Sequence, residues 1–217
     1  MRKFILSALL LIASPVLAEP TKGYFTMDAM GCMLLQECKD NVHQIFSIND
    51  LKNRYPESDY NAVADEFNQM LVSLNQIGVV VFLADQKYFP PGHRGVYHTV
   101  SNNFYLNDAF MHRQSTLMSV MRHEGWHVAQ DCMAGTIDNS MIAIILPEED
   151  VPAYWAAIAK DTYPAQSLPW EREAMWAGHT AGMTQEALHA CAAGNMWEVY
   201  PPTPLTEKWL RQNDFIR

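Results

Sequence analysis

The pentapeptide His-Glu-Gly-Trp-His at residues 123–127 constrains this chain more than any other segment. Two histidines four residues apart on a helix lie about 40° apart around its axis, so both imidazoles point to one side. Apolar residues recur at helical spacing around the motif, at Leu117, Met121 and Val128. We therefore predict a helix over residues 108–131, with Asn107 or Asp108 as its N-cap.

The residue types in this motif suit a metal ion. Two neutral imidazoles on one helix face match the nitrogen ligands of a tetrahedral Zn²⁺, and Glu124 between them can take a proton from zinc-bound water. The alternative is an amphipathic helix with two structural histidines. The strand expected before the helix, and Gln130 one turn beyond His127 on nearly the same face, favour the metal site. The expected chemistry is hydrolysis, most often of a peptide bond, with one zinc ion per chain.

The first residues have the pattern of a secretory signal peptide, over residues 1–18. Arg2 and Lys3 form a basic start, and residues 4–13 are a mostly apolar run too short to span a bilayer comfortably. The pattern predicts a secreted or periplasmic protein, with an uncleaved N-terminal anchor as the alternative. Residues 19–217 are then predicted to form one domain, with no further apolar run long enough to cross a membrane.

The charge balance is acidic, since 15 Lys and Arg stand against 24 Asp and Glu and give a formal net charge of −9. An acidic protein is a poor candidate for binding nucleic acid or an anionic membrane surface, so neither is an expected partner. The partner expected for a hydrolytic site in such a chain is a peptide or protein substrate.

The chain has four cysteines: Cys32, Cys38, Cys132 and Cys191. An even number in a chain expected to be exported predicts two disulfides, with three possible connectivities. A four-cysteine zinc site is disfavoured because no C-x-x-C spacing occurs. Cys132 lies just past the histidine helix and Cys191 near the end of a later helix predicted over residues 169–193. A Cys132–Cys191 bridge would tie these two helices together, and we take it as a hypothesis.

The other segments predict an α+β fold. In chain order we expect a helix or turn-helix over 28–46, an amphipathic helix over 59–76 ended by Gly78, a buried strand over 79–83, a hairpin over 96–106 turning at 101–103, a helix over 147–160, a long helix over 169–193 broken at Gly178 and Gly182, and a surface tail over 200–217. Helices dominate this order, and a small β-sheet precedes the motif helix.

Catalytic zinc takes three protein ligands and keeps a fourth position for water, so a third ligand has to come from elsewhere in the chain. One common arrangement has a third histidine six residues after the second, and Met133 in that position rules it out. Glu171 and Glu173, near the start of a predicted helix, are the next candidates. They lie about 200° apart on a helix, so only one can reach the metal. The other is expected to be solvated or to complement the helix N-terminus.

The motif together with residues 171–174, Glu-Arg-Glu-Ala, resembles the zincin metallopeptidases, in particular the gluzincin branch. In that branch a later helix often carries the ligand glutamate as E-x-x-A. The resemblance implies a zincin-like fold and four site residues, which are His123, His127 and Glu171 as zinc ligands and Glu124 as general base. Several gluzincins have an acidic residue after that alanine. Met175 stands there in this chain, so support for one of the histidines has to come from elsewhere.

The same resemblance implies roles for residues around the metal. An edge strand within 96–106 is expected to pair with an extended substrate, or to be an ordinary edge strand. Zincins often stabilise the oxyanion with a Tyr or His, for which the candidates are Tyr154, Tyr163 and His179. Trp126 is expected to pack beside the site. Gly125 is expected to face away from the metal and to allow close helix packing.

Two other classes of protein are compatible with parts of the sequence. Two E-x-x-H pairs, Glu124 with His127 and Glu186 with His189, match the signature of a carboxylate-bridged di-iron bundle. That reading leaves His123 unexplained and conflicts with the strands expected before the motif. A non-catalytic binding module with a zincin fold is the other alternative, and the intact Glu124 argues against it.

Overall fold

The computed structural model describes residues 40–217. In that part the chain forms four strands, β1 (Val42–Gln44), β2 (Val80–Ala84), β3 (Gly95–His98) and β4 (Asn103–Asn107), and eight helices, α1 (Ile48–Arg54), α2 (Ala64–Gln76), α3 (Gln114–Met133), α4 (Ala153–Thr162), α5 (Leu168–Gly178), α6 (Met183–Ala192), α7 (Met196–Val199) and α8 (Pro204–Gln212). The protein is α+β, about half helical, and its small sheet precedes the motif helix α3, as the sequence predicted.

Several predictions concern residues before position 40. The signal peptide over 1–18, together with Cys32 and Cys38, lies outside the described residues. So does most of the helix predicted over 28–46, whose described end contains the strand β1 instead. Over residues 40–217, no helix combines the length and the apolar character needed to cross a membrane.

The four strands form one sheet in the order β1-β2-β4-β3. β2 and β4 are parallel, whereas β1 pairs antiparallel with β2 and β3 pairs antiparallel with β4. β3 and β4 are the predicted hairpin. Asn102 in its turn has φ 53°, a left-handed conformation that Asn adopts more readily than most residues. β3 therefore lies at an edge of this sheet, beside α3.

Helix α3 packs against α5, α6 and the edge strand β3. Its apolar stripe, Leu117, Met121 and Val128, is completely buried, as the helical spacing predicted. These side chains join a core with contributions from α2 and β4, namely Phe67, Met70, Leu74, Phe104 and Leu106. Burying each such side chain stabilises the fold by about 1.5–3 kcal/mol. Burial of this stripe sets the rotation of α3 and directs its two histidines toward α5.

The start of the motif helix differs from the prediction. α3 begins at Gln114, after Arg113 as N-cap, and not at residue 108. Asp108 instead accepts hydrogen bonds from the side chains of Arg54 and Tyr55. The Asn107 amide donates to the His93 carbonyl at 2.8 Å. Both residues predicted to cap the helix therefore bind residues that are distant in sequence. These partners come close to them only in the folded chain.

Three other predicted segments are corrected in their bounds. The long helix over 169–193 is two helices, α5 and α6, and it breaks where the two glycines predicted a break, with Gly182 at φ 81°. The helix predicted over 147–160 is α4, preceded by a 3-10 turn at Glu148–Asp150. The tail over residues 200–217, predicted to lie on the surface, contains the helix α8, which begins at Pro204. Leu210 in that helix is fully buried.

Cys132 and Cys191 form a disulfide, with their Cα atoms 5.9 Å apart, as hypothesised from the sequence. The bridge joins α3 to α6. The expectation that it would tie together the two ligand-bearing helices is wrong, because the break after Gly178 places Cys191 on a different helix from Glu171. A native disulfide of this kind typically contributes about 2–4 kcal/mol to stability.

Candidate metal centre

The three side chains expected to hold a metal converge in the folded chain. The Glu171 Oε2 atom lies 3.3 Å from His123 Nε2 and 3.6 Å from His127 Nε2. One ligand atom from each of the three residues lies within 4.8 Å of the other two. Tetrahedral zinc ligands at about 2.0–2.2 Å from the ion would be roughly 3.4 Å apart, so the spacing suits such an ion. The group can hold a metal ion.

A buried oxygen supports the fit. Glu171 Oε2 is buried and makes no hydrogen bond to any residue within 40–217, although it faces the two imidazole nitrogens. A buried carboxylate oxygen without a hydrogen bond is costly, and coordination to a cation would relieve that cost. The two imidazole rings present different edges to the site, with their planes 87° apart and their centroids 5.0 Å apart.

The electrostatics of the three residues are strongly coupled. Burial alone would raise the pKa of Glu171, but His123 and His127 outweigh it and lower that pKa to about 2. Burial likewise opposes protonation of His127, yet Glu171 and then Glu124 raise its pKa to about 9. The carboxylate is therefore ionised at neutral pH, and a cation bound here would replace the proton on His127.

Glu124, the predicted general base, lies on α3 between the two histidines. Its Oε2 atom accepts a hydrogen bond from the Tyr97 backbone N–H at 3.0 Å. That amide belongs to the edge strand β3, so a strand of the sheet holds the carboxylate beside the histidines.

A cleft of about 650 Å³ opens over His123 and Glu124. One wall is the loop at residues 91–95 that leads into β3, and the other is formed by residues 162–164 with Met175 and His179. Its volume is within the range of small-molecule and peptide-side-chain pockets, about 300–1,000 Å³. His123 and Glu124 are therefore the members of the candidate site that line this cleft.

The three candidate oxyanion donors are placed differently. The Tyr163 hydroxyl lies 3.4 Å from His123 Nε2, and its ring stacks on that imidazole in the cleft wall. Burial raises the pKa of Tyr163, and the neighbouring Glu171 and Glu124 add to the shift, so its phenol stays protonated. His179 also lines the cleft, with Nδ1 2.9 Å from the Met175 carbonyl. Tyr154 is 67% exposed and packs on Trp155, outside the cleft.

Glu173 is not solvated, contrary to the expectation from the sequence. It is 1% exposed, and its oxygens accept hydrogen bonds from the side chains of Trp126 and Gln130 and from the backbone amides of Ile145 and Leu146. In turn, the Oε1 atom of Gln130 lies 2.8 Å from Nδ1 of His127. The support for a histidine that Met175 cannot provide therefore comes from Gln130 and Glu173.

Sequence reasoning placed Gln130 on the right face but assigned it no partner, and it missed the role of Glu173. The available signal was the spacing of Gln130 from His127. Nothing in the sequence indicated that the loop at residues 145–146 would enclose Glu173.

Gly125 and Gly95 show how closely the elements around the site are packed. A Cβ at Gly125 would lie 2.9 Å from Thr184 Cγ2 and 3.1 Å from Met70 Cε, so this face of α3 turns away from the metal, as predicted. A Cβ at Gly95 would lie 2.4 Å from Val120 Cγ1 and 3.1 Å from Glu124 Cγ. Strand β3 therefore lies directly on the motif helix. Trp126 is fully buried beside the site, as expected.

The second E-x-x-H pair does not join the metal centre. Glu186 and His189 lie on α6 and line a separate groove between α2 and α6. Over residues 40–217, the only group of at least three potential metal ligands is that of His123, His127 and Glu171. The two E-x-x-H pairs therefore do not build a shared metal centre.

No protein-family model, curated protein or solved structure matches this chain. What the site can do therefore follows from its own donor set and geometry.

Proposed function

We propose that this protein is a zinc-dependent metallopeptidase with a zincin-like fold, in which His123, His127 and Glu171 hold one Zn²⁺ ion. The observation that carries the proposal is the convergence of these side chains, from two helices, around one buried carboxylate oxygen. Two imidazoles and one carboxylate are a donor set found in catalytic zinc sites, which leave a position open for water or substrate. Zinc is preferred over calcium or magnesium because those ions take oxygen ligands.

Zinc bound here would polarise the scissile carbonyl and acidify a water molecule. Glu124 is the general base that takes the proton and delivers it to the leaving amine. The Tyr97 amide holds Glu124 Oε2, which leaves Oε1 to accept that proton.

Tyr163 is the donor that stabilises the oxyanion. Its phenol lies in the cleft wall beside His123 and keeps its proton because burial and two carboxylates raise its pKa. A preorganised donor of this kind acts where negative charge develops on the substrate. Tyr154 is exposed and does not line the cleft, and the ring of His179 is stacked on Trp155.

The substrate is a peptide or protein segment that lies in the cleft between residues 91–95 and residues 162–164. Strand β3, at the sheet edge beside the cleft, is the element against which an extended substrate would align. The acidic net charge makes nucleic acid a poor partner. The disulfide is consistent with a secreted or periplasmic location, as the signal-peptide pattern predicts.

The test combines metal content with hydrolysis. The protein is purified without chelator, its metals are quantified, and a mixture of unstructured peptides is assayed for cleavage. We expect one zinc per chain, loss of zinc in His123→Ala and Glu171→Ala, and retention of zinc with loss of nearly all turnover in Glu124→Gln. Glu186→Gln is the matched control and should retain both. Two irons per chain would favour a di-iron protein, and zinc without hydrolysis would favour a binding module.

A further inference from the structure

We propose that Glu173 is a positioning residue that sets the tautomer of His127 through the side-chain amide of Gln130. The inference rests on the proposed function, because it concerns how the protein prepares one of the metal ligands. It goes further by assigning a role to a buried carboxylate that the chemistry itself does not touch.

The neighbours of Gln130 set the orientation of its side-chain amide. Gln130 is fully buried. Its Nε2 atom lies 3.1 Å from the Trp170 carbonyl oxygen and 2.9 Å from Glu173 Oε2. A carbonyl and a carboxylate accept hydrogen bonds, and an amide NH₂ has two hydrogens to donate. Both hydrogens are therefore used, and the reversed amide would place its oxygen against two acceptors.

Glu173 acts as a hydrogen-bond acceptor in this network. Its neighbours are the Trp126 indole N–H, at 3.1 Å, and the backbone N–H groups of Ile145 and Leu146, at 3.0 and 2.7 Å. These groups only donate, so a proton on the carboxylate would meet donors. The carboxylate acts as the fixed acceptor for Gln130.

The tautomer of His127 follows from the orientation of this amide. Because Gln130 Nε2 donates to Trp170 and Glu173, the Oε1 atom of Gln130 is the one that faces His127 Nδ1, at 2.8 Å. An amide oxygen cannot donate, so Nδ1 carries the hydrogen. A neutral imidazole with its proton on Nδ1 has its lone pair on Nε2. Nε2 is the atom that faces Glu171, so in its neutral form the ring directs its coordinating nitrogen toward the other two candidate ligands.

The alternative tautomer would be costly in this place. Moving the hydrogen to Nε2 would leave two acceptors, Nδ1 and Gln130 Oε1, facing each other inside the protein. Polar groups left unsatisfied inside a protein are costly. The network thus removes a tautomeric equilibrium that would otherwise reduce metal affinity.

The experiment reads the tautomer directly. Long-range proton–nitrogen NMR spectra of ¹⁵N-histidine-labelled, metal-free protein are recorded where the imidazole of His127 is neutral. We expect the hydrogen on Nδ1 in the wild type. In Glu173→Gln the NH₂ group of the new amide faces the surrounding donors, and Gln130 loses its fixed acceptor. The Gln130 amide can then reverse, so the Nε2–H tautomer of His127 should become populated. Gln130→Met should have the same effect, because it removes the acceptor.

Zinc affinity, measured by competition with a chromophoric chelator, provides the second readout. Glu173→Gln and Gln130→Met should each bind zinc about 10- to 100-fold more weakly than the wild type. Trp126→Phe is the matched control, because it removes a different donor to Glu173 and keeps the Gln130 link. It should lose thermal stability but keep the wild-type tautomer and zinc affinity.

Two results would overturn the proposal: a wild-type His127 with its hydrogen on Nε2, or folded Glu173→Gln and Gln130→Met variants that bind zinc as tightly as the wild type. A hydrogen on Nε2 in the metal-free wild type overturns the proposal even if both variants fail to fold. A wild type that binds no zinc would refute the metallopeptidase and still report the tautomer, so the two failures are distinguishable.

Discussion

The backbone N–H of Tyr97 donates to the side chain of Glu124 over 3.0 Å, and the same tyrosine donates its phenol to Asp131 over 2.8 Å. Tyr97 lies on the edge strand β3, while Glu124 and Asp131 lie about two turns apart on α3. One strand residue therefore clamps the motif helix at two points. Through this clamp the sheet positions Glu124, the predicted general base. The position of the Glu124 carboxylate therefore depends on how β3 packs against α3.

Removing the phenol tests this clamp. Tyr97→Phe leaves the buried Asp131 without its donor, and we expect a loss of about 1–3 kcal/mol in the free energy of unfolding, measured by urea denaturation. Zinc content should not change, because no ligand is touched, while kcat should fall as β3 loosens around Glu124. Tyr60→Phe is the matched control, since it removes a buried phenol bonded to the Met111 carbonyl, which does not touch the site. Equal losses of kcat in both variants would contradict the clamp.

The pH dependence of stability should carry a signature of Asp131. Burial raises the pKa of Asp131 from 3.8 to about 7, although the hydrogen bond from Tyr97 opposes the shift. Between these values the folded chain keeps a proton that the unfolded chain has released. The stabilisation that depends on this proton is full at low pH and is lost as the pH rises toward about 7.

The measurement is the free energy of unfolding of the wild type and Asp131→Asn at several pH values in this interval. We expect the wild type to lose stability relative to Asp131→Asn as the pH rises. Asp138→Asn should shift the effect to lower pH, because the charge of Asp138 contributes to the raised pKa. A difference between wild type and Asp131→Asn that does not change with pH would refute the assignment.

Tyr163 and Tyr154 are a matched pair for the oxyanion role. Tyr163→Phe removes a phenol in the cleft wall, and we expect kcat to fall by about 10²- to 10³-fold, as for the loss of one oxyanion donor. KM and zinc content should stay near their wild-type values. Tyr154→Phe removes an exposed phenol outside the cleft and should leave kcat unchanged. Full turnover by Tyr163→Phe would show that another donor stabilises the oxyanion. His179 would then be the next residue to substitute.

Gly125 should not tolerate a methyl group, even though alanine is the better helix former. A Cβ there would lie 2.9 Å from Thr184 Cγ2, so Gly125→Ala pushes α3 away from α6. We expect a loss of about 1–3 kcal/mol in the free energy of unfolding. Adding Thr184→Ser removes the opposing methyl and keeps the hydroxyl that donates to the Arg122 carbonyl, so the double variant should recover part of the loss. Absence of recovery would show that the contact with Thr184 is not the cause.

Local patterns were sufficient for the elements whose neighbours in space are also neighbours in sequence. The helical spacing of Leu117, Met121 and Val128 predicted the buried face of α3, and all three are buried. The hairpin of β3 and β4 and the break between α5 and α6 followed from turn residues that act within a few positions. Such features depend on backbone geometry and burial, which the order of residue types encodes directly.

The N-cap of α3 shows where local patterns fail. Asp108 has the chemistry of a cap, but Arg54 and Tyr55, more than fifty positions earlier, bind its carboxylate instead. Arg54 offers this carboxylate an opposite charge and Tyr55 adds a second donor, whereas a helix start would offer it only backbone N–H groups, so the tertiary partners prevail. The helix consequently begins six residues later than predicted, at Gln114.

The sequence by itself determined that two imidazoles and Glu124 share one helix, because their spacing leaves little choice on a 3.6-residue repeat. It did not determine which glutamate would join them, since Glu171 and Glu173 point in opposite directions and either could have faced the site. Only the tertiary structure decided this. Gly178 packs against the Ser119 carbonyl and the Cβ of His123, and the backbone amides of Ile145 and Leu146 bind Glu173. Those contacts set the rotation of α5, which places Glu171 beside the histidines and Glu173 behind them.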